Sequence, residues 1–193
     1  MQNDELKPNI LLHCCCAPCT SYVLECLLPH YNVSVLFYNP NIEPQEEYFK
    51  RKSELTKLLD KASLTSTTRM LECDYDNAAF SSAALSLRNE PEGGERCRLC
   101  FELRLSETAS KAKAGKFDFF TTTLSVSPHK NAKLLNEIGK KAAIEYGVEY
   151  LQADFKKKDG YKRTVELSKK YSLYRQEYCG CQSQHKNCLQ FTR

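Results

Sequence analysis

Short apolar runs that each give way to a helix-spaced segment recur through residues 1–154, and this alternation restricts the fold more than any other feature of the chain. NILLH (9–13) predicts a buried strand and 21–28 the helix after it, ended by Pro29, whose ring cannot continue a helix. VSVLFY (33–38) predicts a second strand, broken by Asn39-Pro40-Asn41. Residues 43–61 carry Tyr48, Leu55, Leu58 and Leu59 at helical spacing, with Pro44 in the permitted first turn. A strand at 68–71 and a helix over 77–87 follow, then the turn-rich NEPEGG (89–94). Beyond it the pattern predicts a helix over 97–113, a strand at 117–121, a helix over 131–146 stopped by Gly147, and a strand at 148–151. Strands separated by helices of this length imply an α/β fold, a doubly wound parallel sheet of Rossmann-like type with right-handed crossovers. The core is expected over 1–154 and a basic, mostly helical, cysteine-containing extension over 155–193, closing the site as part of one integrated domain.

In such a sheet, sites form beyond the carboxyl ends of the strands. HCCCAPC (13–19) stands at the first of these ends, where a nucleotide-binding protein would carry glycines. Thiolates in their place suit a soft metal better than a phosphate. Neighbouring side chains in an extended loop point different ways, so only some of Cys14, Cys15, Cys16 and Cys19 can reach one centre. RCRLC (96–100) supplies a C-x2-C pair opening a helix, whose amino end favours thiolates. By itself that pair fits zinc, iron–sulfur or dithiol redox chemistry. With the first loop it suggests a four-thiolate site, read as iron–sulfur in preference to structural zinc. Tyr178-Cys179-Gly180-Cys181 offers a third group, able to form a strained disulfide or to bind a second metal. Cys26, Cys73 and Cys188 have no close partner in sequence and read as packing residues.

Eleven cysteines in 193 residues, about 6%, fall short of a disulfide scaffold, and the odd count points the same way. The opening residues lack a basic, then apolar, leader and no apolar run nears the length of a membrane span, so a cytoplasmic, membrane-free protein is expected, its cysteines serving metal or catalysis. Residues 155–193 carry a net charge of +7 against −3 for the rest, with Tyr161, Tyr171, Tyr174 and Tyr178 interleaved, as suits phosphates and bases but also a plain solvated helix. TTTLSVSPHKN (121–131) leaves a strand through hydroxyls and enters a helix, with Ser127 as its expected N-cap, Pro128 in the first turn and Lys130 near an anion-binding helix start. Tyr75 and Asp76 follow the third strand as candidate proton donors, Asp76 equally as a cap. His13 reads as a structural histidine.

Together HCCCAPC, FYNPNIEPQEEYFKR (37–51), RCRLC, TTTLSVSPHKN and YRQEYCGCQSQ (174–184) resemble one family, the epoxyqueuosine reductases of the QueH type, over nearly the whole chain. The resemblance implies the last step of queuosine biosynthesis: an epoxide on the modified wobble base of a tRNA is reduced to the alkene and its oxygen leaves as water. It implies a 4Fe–4S cluster on Cys15, Cys16, Cys97 and Cys100, with Cys19 in reserve and Cys14 in doubt as a ligand. Cys179 and Cys181 become either a redox-active pair or ligands to a second, mononuclear iron. Epoxide deoxygenation needs two electrons and two protons, so an external low-potential electron donor is required and Lys130, Tyr75 and Asp76 are the candidate acids. The lysines at 111, 113 and 116 and the basic extension are expected to hold tRNA phosphates. A zinc-stabilised RNA-binding module and a metal-free thiol–disulfide oxidoreductase are the alternatives.

Overall fold

A computed structural model describes residues 7–181. Five strands, β1 (Asn9–His13), β2 (Asn32–Leu36), β3 (Arg69–Leu71), β4 (Phe119–Thr122) and β5 (Glu149–Tyr150), form one all-parallel sheet in the order 3-2-1-4-5. Helices α1 (Ala17–Leu27), α2 (Gln45–Lys61), α3 (Asn77–Ala83), α4 (Glu95–Ala114), α5 (Ala132–Tyr146) and α6 (Gly160–Lys170) complete the expected doubly wound, Rossmann-like architecture. No described helix is long and apolar enough to cross a membrane.

Strand β1 lies at the centre, Ile10 pairing with Val33 on one side and Phe119 on the other. Its residues alternate between two cores, as side chains on a strand must. Ile10 and Leu12 pack with Val23, Leu24 and Leu27 of α1 and Leu55, Leu58 and Leu59 of α2. Leu11 packs oppositely, with Phe120, Ala109 and Ala112 of α4 and Ala142 of α5. Coverage on both faces explains why NILLH is a continuous apolar run.

Most helix and strand positions agree with the sequence pattern to within two residues, and three departures affect the site. Helix α1 begins at Ala17 rather than at residue 21, because Pro18 sits in the first turn, where its missing N–H removes no bond. Cys16 is thereby the N-cap and Cys19 rides on the helix. Asn131, not Ser127, caps α5, its Oδ1 accepting from the backbone of Lys133 and Leu134. Thr123–Val126 form a 3-10 turn that uses up the room for an earlier start, and Ser127 Oγ accepts from His129 N. Between 155 and 181 only α6 is helical: it packs on α1, where Arg163 forks onto Glu25 at 2.7 and 2.9 Å. The segment after it runs back over α2, tied by Tyr174 N to Glu54 at 2.7 Å. The expected extension beyond residue 181, with Cys188, lies outside the described residues.

Candidate active site

The sheet order reverses direction between β1 and β4, and a crevice opens beyond their carboxyl ends. The loop leaving β1 continues its alternation for two residues. Cys14 follows Ile10 and Leu12 into the core, fully buried, with Sγ donating to Leu12 O at 3.4 Å. It is a packing cysteine. Cys15 turns the other way, toward the loop after β4: its N–H donates to Thr123 Oγ1 at 3.0 Å, and that hydroxyl donates to Cys15 Sγ at 3.3 Å.

The Sγ atoms of Cys15, Cys16 and Cys19 lie within 4.8 Å of one another. Cys15 and Cys16 are 3.7 Å apart, close to the roughly 3.8 Å edge of a tetrahedron with metal–sulfur bonds of ~2.3 Å. Hydrogen bonds from the other two thiols, with the charges of Arg104 and Lys130, hold the Cys15 thiol well below the ordinary range. The anion at Cys15 in turn pushes Cys16 up to about 12 and Cys19 well above its usual value. These are the features of a soft-metal site: one ready thiolate, two more sulfurs at ligand spacing, and the amino end of α1 behind them.

Helix α4 brings the second group. Cys97 and Cys100, three residues apart, share one face. Gly93 N–H donates to Cys97 Sγ at 3.3 Å. One turn beyond, Arg104, 2% exposed, donates to Cys100 Sγ at 3.7 Å and to Asn39 Oδ1. No carboxylate pairs with Arg104 among the described residues; its N–H groups are directed at Cys100 Sγ, Asn39 Oδ1 and His13 Nε2. Burial pushes the Cys100 thiol up to about 11 while Arg104 opposes the shift. His13, which follows Leu11 onto the α4 face, is held neutral: burial first, then Arg104, push it down to about 3. Its ring nitrogens meet Thr122 Oγ1 at 2.9 Å and Tyr38 O at 3.0 Å, as a structural histidine's would.

The third group arrives from the far end of the chain. Arg51 of α2, 2% exposed, pairs with Glu47 at 2.7 Å and donates to the carbonyls of Cys179 at 3.1 Å and Tyr178 at 3.2 Å. Gly180 O accepts from Glu43 N at 2.8 Å. Gly180 itself has φ +112°, and a Cβ there would stand 2.9 Å from Ile42. A side chain between the two cysteines is thus excluded by both backbone and space. No disulfide joins any two of the ten described cysteines, Cys179 and Cys181 included.

Two adjoining cavities result. The larger, about 630 Å³, is walled by Cys15, Cys16 and Cys19; the smaller, about 80 Å³, by Cys97, Cys100 and Cys181. Asn41, Glu92, His129, Lys130 and Cys179 line both. The residues expected as ligands are therefore divided, Cys15 and Cys16 in one chamber and Cys97 and Cys100 in the next. Lys130 is partly buried between them, and negative charge at Cys179 above all, then at Cys15, keeps it protonated against the pull of burial. The other candidate acids are elsewhere. Asp76 caps α3, accepting from Ala79 N at 3.0 Å, and the Tyr75 hydroxyl donates to Ile42 O at 2.8 Å; neither lines a cavity. Lys111 and Lys113 lie in the last turn of α4, and Lys116 just past it, at the opposite end of that helix from Cys97. At a rise of about 1.5 Å per residue, Lys111 and Lys113 lie roughly 21–24 Å along the helix from Cys97, and none of the three lysines lines either cavity.

Asn39, Asn41, Arg51 and Arg104 are site residues that the sequence pattern did not single out. The two arginines left a signal: each falls on the apolar stripe of its helix, beside Tyr48 and Leu55 in α2 and beside Cys100 and Leu105 in α4.

A model of the family described as epoxyqueuosine reductase QueH matches residues 10–187. The chain is 42% identical over 182 residues to the Streptococcus pyogenes serotype M1 protein named epoxyqueuosine reductase QueH, spanning 93% of this chain and 71% of that one. Proteins of the same name from Staphylococcus epidermidis and Thermotoga maritima are 40% and 35% identical, over 93% and 90% of this chain and 77% and 88% of theirs. With a match that runs from β1 past Cys181, and relatives this similar over nine-tenths of its length, the chain belongs to the epoxyqueuosine reductase QueH family.

Proposed function

We propose that the chain reduces epoxyqueuosine in tRNA to queuosine, with an iron–sulfur cluster drawn from the thiols around the two cavities. Both C–O bonds of the epoxide break, a C=C bond forms, and two electrons and two protons carry the oxygen away as water. The observation that supports this most directly is a lysine, Lys130, in the wall common to two thiol-lined chambers, the larger of which has the volume of a small-ligand site. Cys15, Cys16, Cys97 and Cys100 are the proposed cluster ligands, with Cys19 in reserve; a cluster spans more space than a single ion, which suits ligands divided between neighbouring chambers. Such a group supplies electrons one at a time, refilled by an external low-potential donor. The chain's own residues do the rest. Lys130 holds a proton for the departing oxygen. Arg104 fixes a positive charge beside Cys100. Cys179, whose carbonyl Arg51 holds, and Cys181 either store reducing equivalents as a dithiol or bind a second iron. Tyr161 and Arg175 at the cavity rim offer a face and a charge to an unstacked anticodon base.

Anaerobically purified protein is expected to be brown, to bleach with dithionite and to hold about four irons and four sulfides. Incubated with tRNA bearing epoxyqueuosine and a chemical reductant, it is expected to yield the nucleoside lacking one oxygen, read by mass spectrometry. A colourless protein carrying one zinc and leaving the epoxide intact would sink the proposal.

A further inference from the structure

The loop between β2 and α2 is held at almost every residue. Asn39 donates to Cys14 O at 2.9 Å and accepts from Arg104. Pro40 O accepts from Asn77 at 2.7 Å, Ile42 O from Tyr75 at 2.8 Å, and Glu43 O from Tyr178 at 3.3 Å. Asn41 is the exception. Its side chain is 1% exposed, yet its Oδ1 has no hydrogen-bond partner. Buried acceptors without partners are rare and costly, and a loop so well tied elsewhere had many ways to satisfy or replace this one. Asn41 also stands in the wall common to both cavities, with Lys130 and Cys179.

We infer that Asn41 is a specificity-determining residue whose Oδ1 accepts a hydrogen bond from a hydroxyl on the epoxide-bearing ring. This rests on the reductase reading above. The chemistry of the wall narrows the ligand group. Asn41 presents an acceptor and Lys130 only donors, so the pair fits a ring that carries an O–H donor beside an oxygen acceptor. An epoxide neighboured by a hydroxyl has that pattern. The place of Asn41 among the thiols assigns it to the reacting ring and not to the purine-like base, which has the remainder of the larger cavity. Lys130 meets the oxygen that leaves; Asn41 fixes which carbon–oxygen pair faces it.

The test is Asn41→Leu, similar in size and without the amide. Removing an unpartnered acceptor leaves no other group unsatisfied, so the variant is expected to melt at or above the temperature of the parent protein. KM for epoxyqueuosine-bearing tRNA is expected to rise about tenfold with kcat within about threefold, the signature of lost uniform binding. Affinity for the same tRNA with guanine at the wobble position, measured at the same salt, stays unchanged. Asn41→Ala, which cannot overpack, gives the same KM shift if the leucine variant fails to fold. An unchanged KM in both variants, or an equal loss of affinity for both tRNAs, overturns the inference while the reductase reading stands. A parent protein that leaves epoxyqueuosine intact overturns both.

Discussion

Lys130 is the residue on which the proposed chemistry leans most, and its charge is set by its neighbours. The neighbouring sulfurs of Cys179 and Cys15 favour the ammonium form in a partly buried wall. Lys130→Gln should therefore lower kcat about a hundredfold or more at saturating tRNA, with KM little changed. Lys130→Arg should restore little, since a guanidinium gives up its proton less readily than an ammonium; full turnover in that variant would argue against proton donation. Tyr48 shows a second residue-scale effect, away from the site. Burial first, then negative charge at Cys73, Glu72 and Asp74, push its phenol up to about 12. The unfolded chain loses that proton near pH ~10, so the folded state binds more protons between there and pH ~12. Stability present below pH ~10 is lost as pH rises through this window, by about 2 kcal/mol at most. Tyr48→Phe removes that slope at a cost of about 1 kcal/mol for the bond to Phe37 O, and urea melts of both proteins across the window would reveal a slope that fails to flatten.

At the scale of elements, the sheet and its helices were legible because their signals are local: apolar runs of strand length, prolines at ends, Gly147 at the close of α5. What the pattern missed depends on contacts distant in sequence. Nothing near residue 17 says that α1 will start there, since HCCCAPC reads as loop until Pro18 is seen in a first turn. Residue type and spacing do not separate Cys14 from Cys15, which only the family resemblance told apart; the sheet's alternation sends one into the core and the other into the site. Asp76 read equally as an acid or a cap and Tyr75 as an acid; Asp76 caps α3 and the Tyr75 hydroxyl ties the loop at Ile42, since the same oxygen serves either purpose and only tertiary position decides. Arg51 drew no site assignment from the sequence because two of its partners, the backbone carbonyls of Cys179 and Tyr178, lie 128 and 127 residues away. Replacing it with Met should loosen the 178–181 segment at a cost of about 2–4 kcal/mol for two bonds to a charged donor. Calorimetry would give the loss, and Cys179 and Cys181 should alkylate faster than Cys97 and Cys100; equal acceleration at all four would point to global unfolding instead.

For the molecule as a whole, two sets of lysines differ in their place along the chain. Lys157, Lys158 and Lys162 are exposed and close in sequence to Tyr161, which lines the larger cavity, whereas Lys111, Lys113 and Lys116 lie at the far end of α4. Reversing the first three to Glu should weaken tRNA binding and flatten its salt dependence by ~0.7–0.9 in log–log slope per lost phosphate contact. Reversing the second three should change affinity less than about threefold, and filter binding across a salt series separates the two sets. The composition had pointed to nucleic acid without telling these faces apart, because net charge has no direction. The tie between Arg51 and the carbonyls of Tyr178 and Cys179 has a further consequence, in the order of biosynthesis. Every other wall of the two chambers leaves the ribosome before the segment that completes them. The nascent chain thus carries Cys15, Cys16, Cys97 and Cys100 into the cell as open thiols, within reach of metal ions and of oxidants alike, until translation delivers Cys179 and shuts the door.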